Sequence, residues 1–262
     1  MKLLAIGDIF GTAGRKAAVS WIPRLRREFG ASFVVANVEN LHAGRGADAA
    51  EVRELLASGA DCLTSGNHIW SQRGHEKLLE AEGRLLRPAN YPDPCPGRGV
   101  AIGITPEGAR VAVINLIGRL FLGPVDDPFR VADRLLAGLH GEAEVVVIDF
   151  HAEATSEKLA LASYLDGRVS AVFGTHTHVQ TADARVLERG TGYITDLGMT
   201  GPYDSIIGMD RDVALARFLT SRPSPGTPAD GAPGLRGALF DIDEASGRCR
   251  SVERVARGGA GA

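Results

Sequence analysis

The segment SAVFGTHTHVQ (Ser170–Gln180) opens as an apolar run and closes on two histidines, His176 and His178, one residue apart. Only seven histidines occur among the 262 residues, so their pairing asks for a reason. Alternate residues of a strand share a face. Two imidazoles at that spacing point the same way, either into solvent with no role or onto a common partner such as a metal ion.

The same grammar, a short apolar run and then a polar residue, recurs along the chain. Leu3–Ile6, Phe33–Ala36, Cys62–Thr64, Val145–Ile148 and Ser170–Phe173 read as buried strands. Ala18, Ile22, Leu25 and Phe29 fall on one helix face, and Pro23 among them predicts a kink or a late start. Val52, Leu55 and Leu56 mark a second helix, ended near Gly59. Alternation of strand and helix predicts parallel pairing through right-handed crossovers. Further helices are expected at Arg130–Leu139 and about Ser156–Leu165. Hairpins are expected at 99–105 with 110–116, at 186–188 with 192–195, and across a closing turn at Ser246-Gly247. The stretch SRPSPGTPADGAPG (221–234) reads as a mobile surface loop. No repeat or linker divides the chain, so residues 1–262 are expected to form one domain.

The polar residues at the strand ends carry the chemistry. Asp8 comes after the first strand, Glu39 and Asn40 after the second, Asn67 and His68 after the third. His151 ends the fourth, and His176 and His178 end the fifth. The carboxyl ends of parallel strands lie along one edge of an α/β sheet, where ligands bind. That edge would gather residues scattered through the chain into one crevice. Asp8 and Glu39, buried together and unpaired, would repel, and cations supply the missing charge. Two carboxylates, amide oxygens and three imidazoles are more ligands than one ion uses; a pair of ions about 3.5–4 Å apart would use them all. Mixed oxygen and nitrogen donors suit Mn, Fe or Zn rather than Ca.

Bulk properties exclude several alternatives. Lys and Arg number 29 against 32 Asp and Glu, a net charge of −3, so duplex DNA is not an expected partner. Cys62, Cys95 and Cys249 form no C-x-x-C, which argues against a zinc ribbon or a disulfide scaffold. No apolar run reaches the ~18 residues of a membrane span, and MKLLAIGDIF is too short a run for a signal peptide. A cytoplasmic protein with no membrane partner is expected; a homo-oligomer is compatible with the sequence.

The motifs GD (7–8), GNH (66–68), His151 and GTHTH (174–178) resemble the calcineurin-like metallophosphoesterases. That resemblance implies an α/β fold: a four-layer α/β/β/α metallophosphoesterase sandwich with mixed sheets and a two-metal site at the strand C-terminal ends. Two departures narrow it. Asp8-Ile9-Phe10 lacks the histidine of the usual Asp-x-His, and VENLHAGRG (38–46) offers Glu39 and Asn40 where a bridging Asp is usual. With DIFGTAGRKA (8–17), RPANYP (87–92) and DLGMTGPYDSIIGM (196–209), these departures resemble the YmdB-like bacterial group, described as 2′,3′-cyclic-nucleotide phosphodiesterases. The resemblance implies one ion on Asp8, Glu39, Asn40 and His178, and a second on Glu39, Asn67, His151 and His176. Iron is the metal it suggests, with Mn or Zn as alternatives.

The expected reaction is hydrolysis of 2′,3′-cyclic nucleotides or short RNA ends by hydroxide shared between the cations, with His68 as general acid. A broad phosphomonoesterase with the same centre, and a regulatory protein acting through partners, are the competing readings. Thr12 and Gly14 are candidate phosphate-binding amides, and Arg15 and Arg45 candidate substrate contacts. Tyr203 and Asp204 suit either a pocket wall or an oligomer contact. His42, His75 and His140 read as structural or exposed, and Trp21 and Trp70 as packing residues.

Overall fold

The structure is a computed structural model that describes residues 1–223 and 225–259. Among the described residues, one sheet holds β1 (Lys2–Ile6), β2 (Asp8–Ile9), β3 (Phe33–Asn37), β4 (Cys62–Thr64), β11 (Met199–Pro202), β12 (Pro233–Ile242) and β13 (Cys249–Gly258). Its order is β2-β11-β12-β1-β3-β4, with β13 paired to β12. The other sheet runs β5 (Val100–Ile104), β6 (Arg110–Ile117), β7 (Val145–His151), β8 (Ala171–Thr175), β10 (Gly192–Ile194) and β9 (Arg185–Val186). The helices are α1 (Gly11–Phe29), α2 (Ala49–Ala57), α3 (His75–Ala81), α4 (Pro128–Gly138), α5 (Thr155–Leu165) and α6 (Arg211–Thr220).

Both sheets are mixed, as expected. β1, β3 and β4 pair in parallel, and β12 joins β1 antiparallel. β6, β7, β8 and β10 are parallel, with β5 and β9 antiparallel at the edges.

The period-two pleat explains the layers. In β1 and β3, Leu4, Ile6, Val34 and Ala36 face outward and pack with Ile22 and Leu25 of α1 and with Val52 and Leu55 of α2. Their neighbours Leu3, Ala5, Phe33 and Val35 face inward, against Val111, Val113, Val147, Ala171 and Phe173 of the second sheet. On that sheet's outer side, Ile114, Ile148, Phe150 and Val172 pack with Val131 and Ala132 of α4 and with Leu161 and Leu165 of α5. The result is the α/β/β/α sandwich, with an apolar layer between the two sheets.

Continuing the pleat, Asn37, Thr64, Asp149, His151 and Thr175 fall on the inner faces at the carboxyl ends of β3, β4, β7 and β8. The apolar layer therefore stops at a polar edge, where the site lies.

Some local expectations give way. α1 starts at Gly11 and continues through Pro23. Burial of Ala18, Ile22 and Leu25 on the sheet outweighs the ~3 kcal/mol that an interior proline costs. α3 and α6 show no apolar periodicity because each buries a single residue, Leu79 and Ala214 respectively. β2 and β11 are too short to carry a period; tertiary pairing of Asp8 with Met199 and Ile9 with Thr200 makes them strands. Of the 221–234 stretch, Pro233 already belongs to β12 and Pro228 bridges to Met209; Ser224 lies outside the described residues. No helix among the described residues is long and apolar enough to cross a membrane.

One glycine shows how closely the chain approaches itself near the polar edge. A Cβ on Gly174 would collide with the carbonyl oxygen of Thr195 and press on the Lys158 side chain. Gly174→Ala is expected to destabilise the fold by about 3 kcal/mol through overpacking. Gly138→Ala, at an open position of α4, should gain roughly 0.5–1 kcal/mol. Denaturant unfolding of both variants checks the pair of signs.

Candidate metal centre

β1 ends at Ile6, and Gly7 turns the chain so that Asp8 opens β2 with no exposed surface. Asp8 Oδ2 accepts the His176 backbone N–H at 3.1 Å, whereas Oδ1 has no hydrogen-bond partner. Beyond β3, the Glu39 N–H donates to Asn37 Oδ1 at 2.9 Å. Glu39 Oε1 accepts the His68 backbone N–H at 2.7 Å and lies 2.9 Å from His68 Nδ1, while Oε2 is unpartnered. After β4, a short 3₁₀ turn (Asn67–Ser71) brings in Asn67, whose buried Oδ1 is also unpartnered. The GNH glycine has a steric reason, since a Cβ on Gly66 would strike the His151 ring.

The imidazoles stand over these oxygens. Fully buried His151 closes β7, and its Nε2 lies 3.6 Å from Glu39 Oε1 and 3.1 Å from His176 Nδ1. Its Nδ1 is 3.0 Å from Thr175 Oγ1 and 3.8 Å from Asp8 Oδ1. His176 Nε2 lies 3.1 Å from Glu153. His178 Nδ1 is 2.8 Å from the Ile207 carbonyl, which leaves Nε2 3.0 Å from Asn40 Nδ2 and 3.9 Å from Asp8 Oδ1. Each imidazole has an oxygen acceptor on one nitrogen and turns the other nitrogen toward the cluster. That arrangement orients ligating histidines.

The expected His-x-His geometry needs one correction. β8 ends at Thr175, so the two histidines are not alternate residues of a strand. Both instead take positive φ, 98° at His176 and 66° at His178. Such backbone is rare outside glycine and collects at functional sites. The loop is held by Asp196: its Oδ2 accepts the Thr177 N–H at 3.1 Å and hydroxyl at 2.8 Å, and its Oδ1 accepts the Gly198 N–H at 2.8 Å. Lys158 of α5, fully buried, pairs with Asp196 Oδ2 at 2.7 Å. The loop therefore owes its shape to a buried ion pair.

Electrostatics asks for a cation. Burial, then the nearby Asp196, holds the Asp8 carboxyl well above its usual range, and burial also raises Glu39. Burial pushes His151 far down, His176 to about 4, and lowers His178. Burial thus favours neutral imidazoles and protonated carboxyls, and a bound cation would reverse the second preference by displacing the carboxyl protons.

The donor set passes a direct fit test. The unpartnered buried oxygens Asp8 Oδ1, Glu39 Oε2 and Asn67 Oδ1 all belong to expected ligands. The His151–His176 separation of 3.1 Å lies within the roughly 3.0–3.4 Å that separates two nitrogens ligating one octahedral or tetrahedral ion at about 2.1 Å. As the side chains stand, no three or more His, Cys, Asp and Glu among the described residues are arranged to hold an ion without adjustment. The His151 and His176 imidazoles contact each other instead, and Asn40 turns its amide nitrogen to His178 and its oxygen to His68 Nδ1, 3.0 Å away. As a ligand Asn40 would present that oxygen.

All seven expected ligands and His68 thus meet at one edge. Arg45 comes with them, its Nη2 3.3 Å from His68 Nε2. Arg15 does not, being paired with Glu51 and Glu54. The Gly14 N–H is committed to the Phe10 carbonyl, and Gly14 packs on Thr200, so it offers no phosphate a donor. Tyr203 lines a cavity of about 360 Å³ beside His178, and Asp204 pairs with Arg211. His42 is 3.0 Å from Glu51, and Trp70 packs edge-on against Tyr91. Sequence reasoning passed over Asp149, Thr175, Lys158 and Asp196; for Asp149 and Lys158 the available signal was a charged residue inside an apolar strand and on a buried helix face.

A family model described as YmdB-like protein matches residues 4–255. The chain belongs to the YmdB-like family. It is similar to the 2′,3′-cyclic-nucleotide 2′-phosphodiesterase of Bacillus subtilis (strain 168), with 47% identity over 97% of this chain and 96% of that relative. Among solved structures it resembles a hypothetical protein from Thermus thermophilus, with TM-score 0.93, 42% identity, and coverage of 99% of this chain and 100% of that one. It also resembles a novel phosphatase from Mycoplasma pneumoniae, with TM-score 0.92, 30% identity, and coverage of 98% and 93%. Phe10 packs its ring edge-on against His178, centroids 5.6 Å apart.

Removing Lys158 leaves Asp196 buried and uncompensated. Lys158→Met is expected to cost about 3–5 kcal/mol. Thermal and denaturant unfolding against wild type measures it.

Proposed function

We propose that this chain is a metal-dependent phosphoric ester hydrolase acting on 2′,3′-cyclic nucleotides, with short RNA ends as an extension of the same chemistry. The observation that carries the reading is the trio of unpartnered buried oxygens, Asp8 Oδ1, Glu39 Oε2 and Asn67 Oδ1, beside three imidazoles. The substrate follows from the name of the Bacillus relative and its 47% identity across nearly the whole chain. The donors suit two divalent or trivalent ions. Iron is the first choice from the family resemblance, and Mn or Zn fit the same oxygen and nitrogen set.

Asp8, Glu39, Asn40 and His178 would hold one ion; Glu39, Asn67, His151 and His176 would hold the other. Bound there, such ions would lower the pKa of water to about 7 and stabilise charge on phosphoryl oxygens. The remaining work falls to the protein's own groups. His68 lies beside Asn67 with its Nδ1 facing Glu39 and Asn40, so Nε2 is the atom turned to a substrate. From Nε2 it would hand a proton to the departing ribose oxygen. In the contact the structure shows, Arg45 donates to that nitrogen; turned to the phosphate instead, its guanidinium would bind phosphoryl oxygens and leave Nε2 free to carry the acid proton.

The broad phosphomonoesterase reading has one observation in its favour, the naming of the Mycoplasma pneumoniae structure as a phosphatase. Parallel assays on 2′,3′-cyclic AMP, 3′-AMP and nitrophenyl phosphates decide between them. Preference for the cyclic substrate is expected, and faster release of phosphate from 3′-AMP would overturn it.

Two variants separate the roles of these groups. His68→Ala should keep both ions yet lose about 10²–10⁴-fold on cyclic AMP, and far less on a nitrophenyl ester whose leaving group needs no proton. Equal losses on both would remove the acid role. Glu39→Gln should lose metal and activity together, read by elemental analysis of the purified variant beside its turnover.

A further inference from the structure

Two residues before His151, the strand VVVIDFH (145–151) carries a lone carboxylate, Asp149, with no exposed surface. No step of the proposed reaction uses it. Its partners come from three other strands spread over both sheets. Asp149 Oδ2 accepts the Thr64 hydroxyl of β4 at 2.5 Å and the Asn37 amide of β3 at 2.9 Å. Its Oδ1 accepts the Thr175 hydroxyl of β8 at 2.7 Å.

The proton inventory then fixes what lies beyond. Thr175 has one hydroxyl proton and spends it on Asp149. Its oxygen can only accept from His151 Nδ1, 3.0 Å away, so His151 carries its proton on Nδ1 and keeps a lone pair on Nε2. That Nε2 faces Glu39 and His176. On the other side, Asn37 gives an N–H to Asp149 and accepts the Glu39 backbone N–H on its Oδ1 at 2.9 Å. Thr64 sits three residues before Asn67. One carboxylate thus reaches the strand ends that deliver Glu39, Asn67, His151 and His176.

We propose that Asp149 is the positioning residue of the metal centre: through Thr175 it sets the tautomer and direction of His151, and through Asn37 and Thr64 it ties the Glu39 and Asn67 strand ends to the same point. This rests on the metal-dependent reading above and adds residues that touch neither substrate nor ion. Ligand-orienting partners of this kind typically govern metal affinity by 10–100-fold.

The test reads metal retention rather than turnover alone. Wild type, Thr175→Val, Thr175→Ser and Asp149→Asn are loaded with Mn²⁺ and dialysed against graded chelator. Bound Mn²⁺ per chain is then measured by elemental analysis, beside the melting temperature of each metal-free form. Thr175→Val keeps the shape but removes the relay oxygen, and should weaken Mn²⁺ retention about 10–100-fold. Thr175→Ser restores the hydroxyl and should restore retention. Asp149→Asn should lose retention as Thr175→Val does; if it fails to fold, the Thr175 pair carries the test. Retention by Thr175→Val equal to wild type, with only its melting temperature lowered, would overturn the positioning role while leaving the proposed function intact. Wild type unable to retain Mn²⁺, Fe or Zn would bring down both.

Discussion

Two carboxylates that face no water, Asp8 and Glu39, govern this molecule. Each has a bare oxygen in a region sealed by two sheets, and burial drives both away from ionisation. Around them stand imidazoles that burial keeps neutral. A fold that only needed stability would place aliphatic side chains here, since unpaired buried charge costs several kcal/mol. Positive charge from bound cations would resolve the conflict, and the proposed chemistry of the site rests on that one compensation.

The surroundings maintain the arrangement in two tiers. Lys158 and Asp196, both buried, form the more distant one, and their pairing pins Thr177 between two histidines in unfavourable backbone. Ile207 adds to this strain, a β-branched residue at φ 46° whose carbonyl faces His178 Nδ1. Asp149 forms the nearer tier, with its hydrogen bonds crossing from one sheet to the other. Neither tier is needed to close the sandwich, whose apolar layers are complete below this edge. Both suit the proposed convergence of donors from several strands on one point.

Much of this could be read from residue order alone. The central strands are short apolar runs, and each ends in a polar residue at the same edge of the sandwich, so the expected ligands emerged together with the topology. Glu39 and Asn40 in place of the usual acidic motif, and Phe10 in place of histidine, pointed to the right family. Other features lay beyond a one-dimensional pattern. α3 and α6 have almost no buried face to impose a period, and β2 exists only because β11 lies beside it. The His-x-His spacing suggested a strand, yet the backbone turns after Thr175 under the pull of Asp196. Asp149 and Thr175 were hidden because their partners are up to 138 positions away in the chain.

The central claim is that the buried carboxylates and imidazoles are a cage for a pair of cations. Anomalous diffraction from crystals of the Fe- or Mn-loaded protein, collected at the metal edge, tests it most directly. Two peaks about 3.5–4 Å apart are predicted, with Glu39 between them, Asp8 and His178 on one, and Asn67, His151 and His176 on the other. A loaded protein with no anomalous density within reach of Asp8 and Glu39, or with its metal bound elsewhere on the surface, would contradict it.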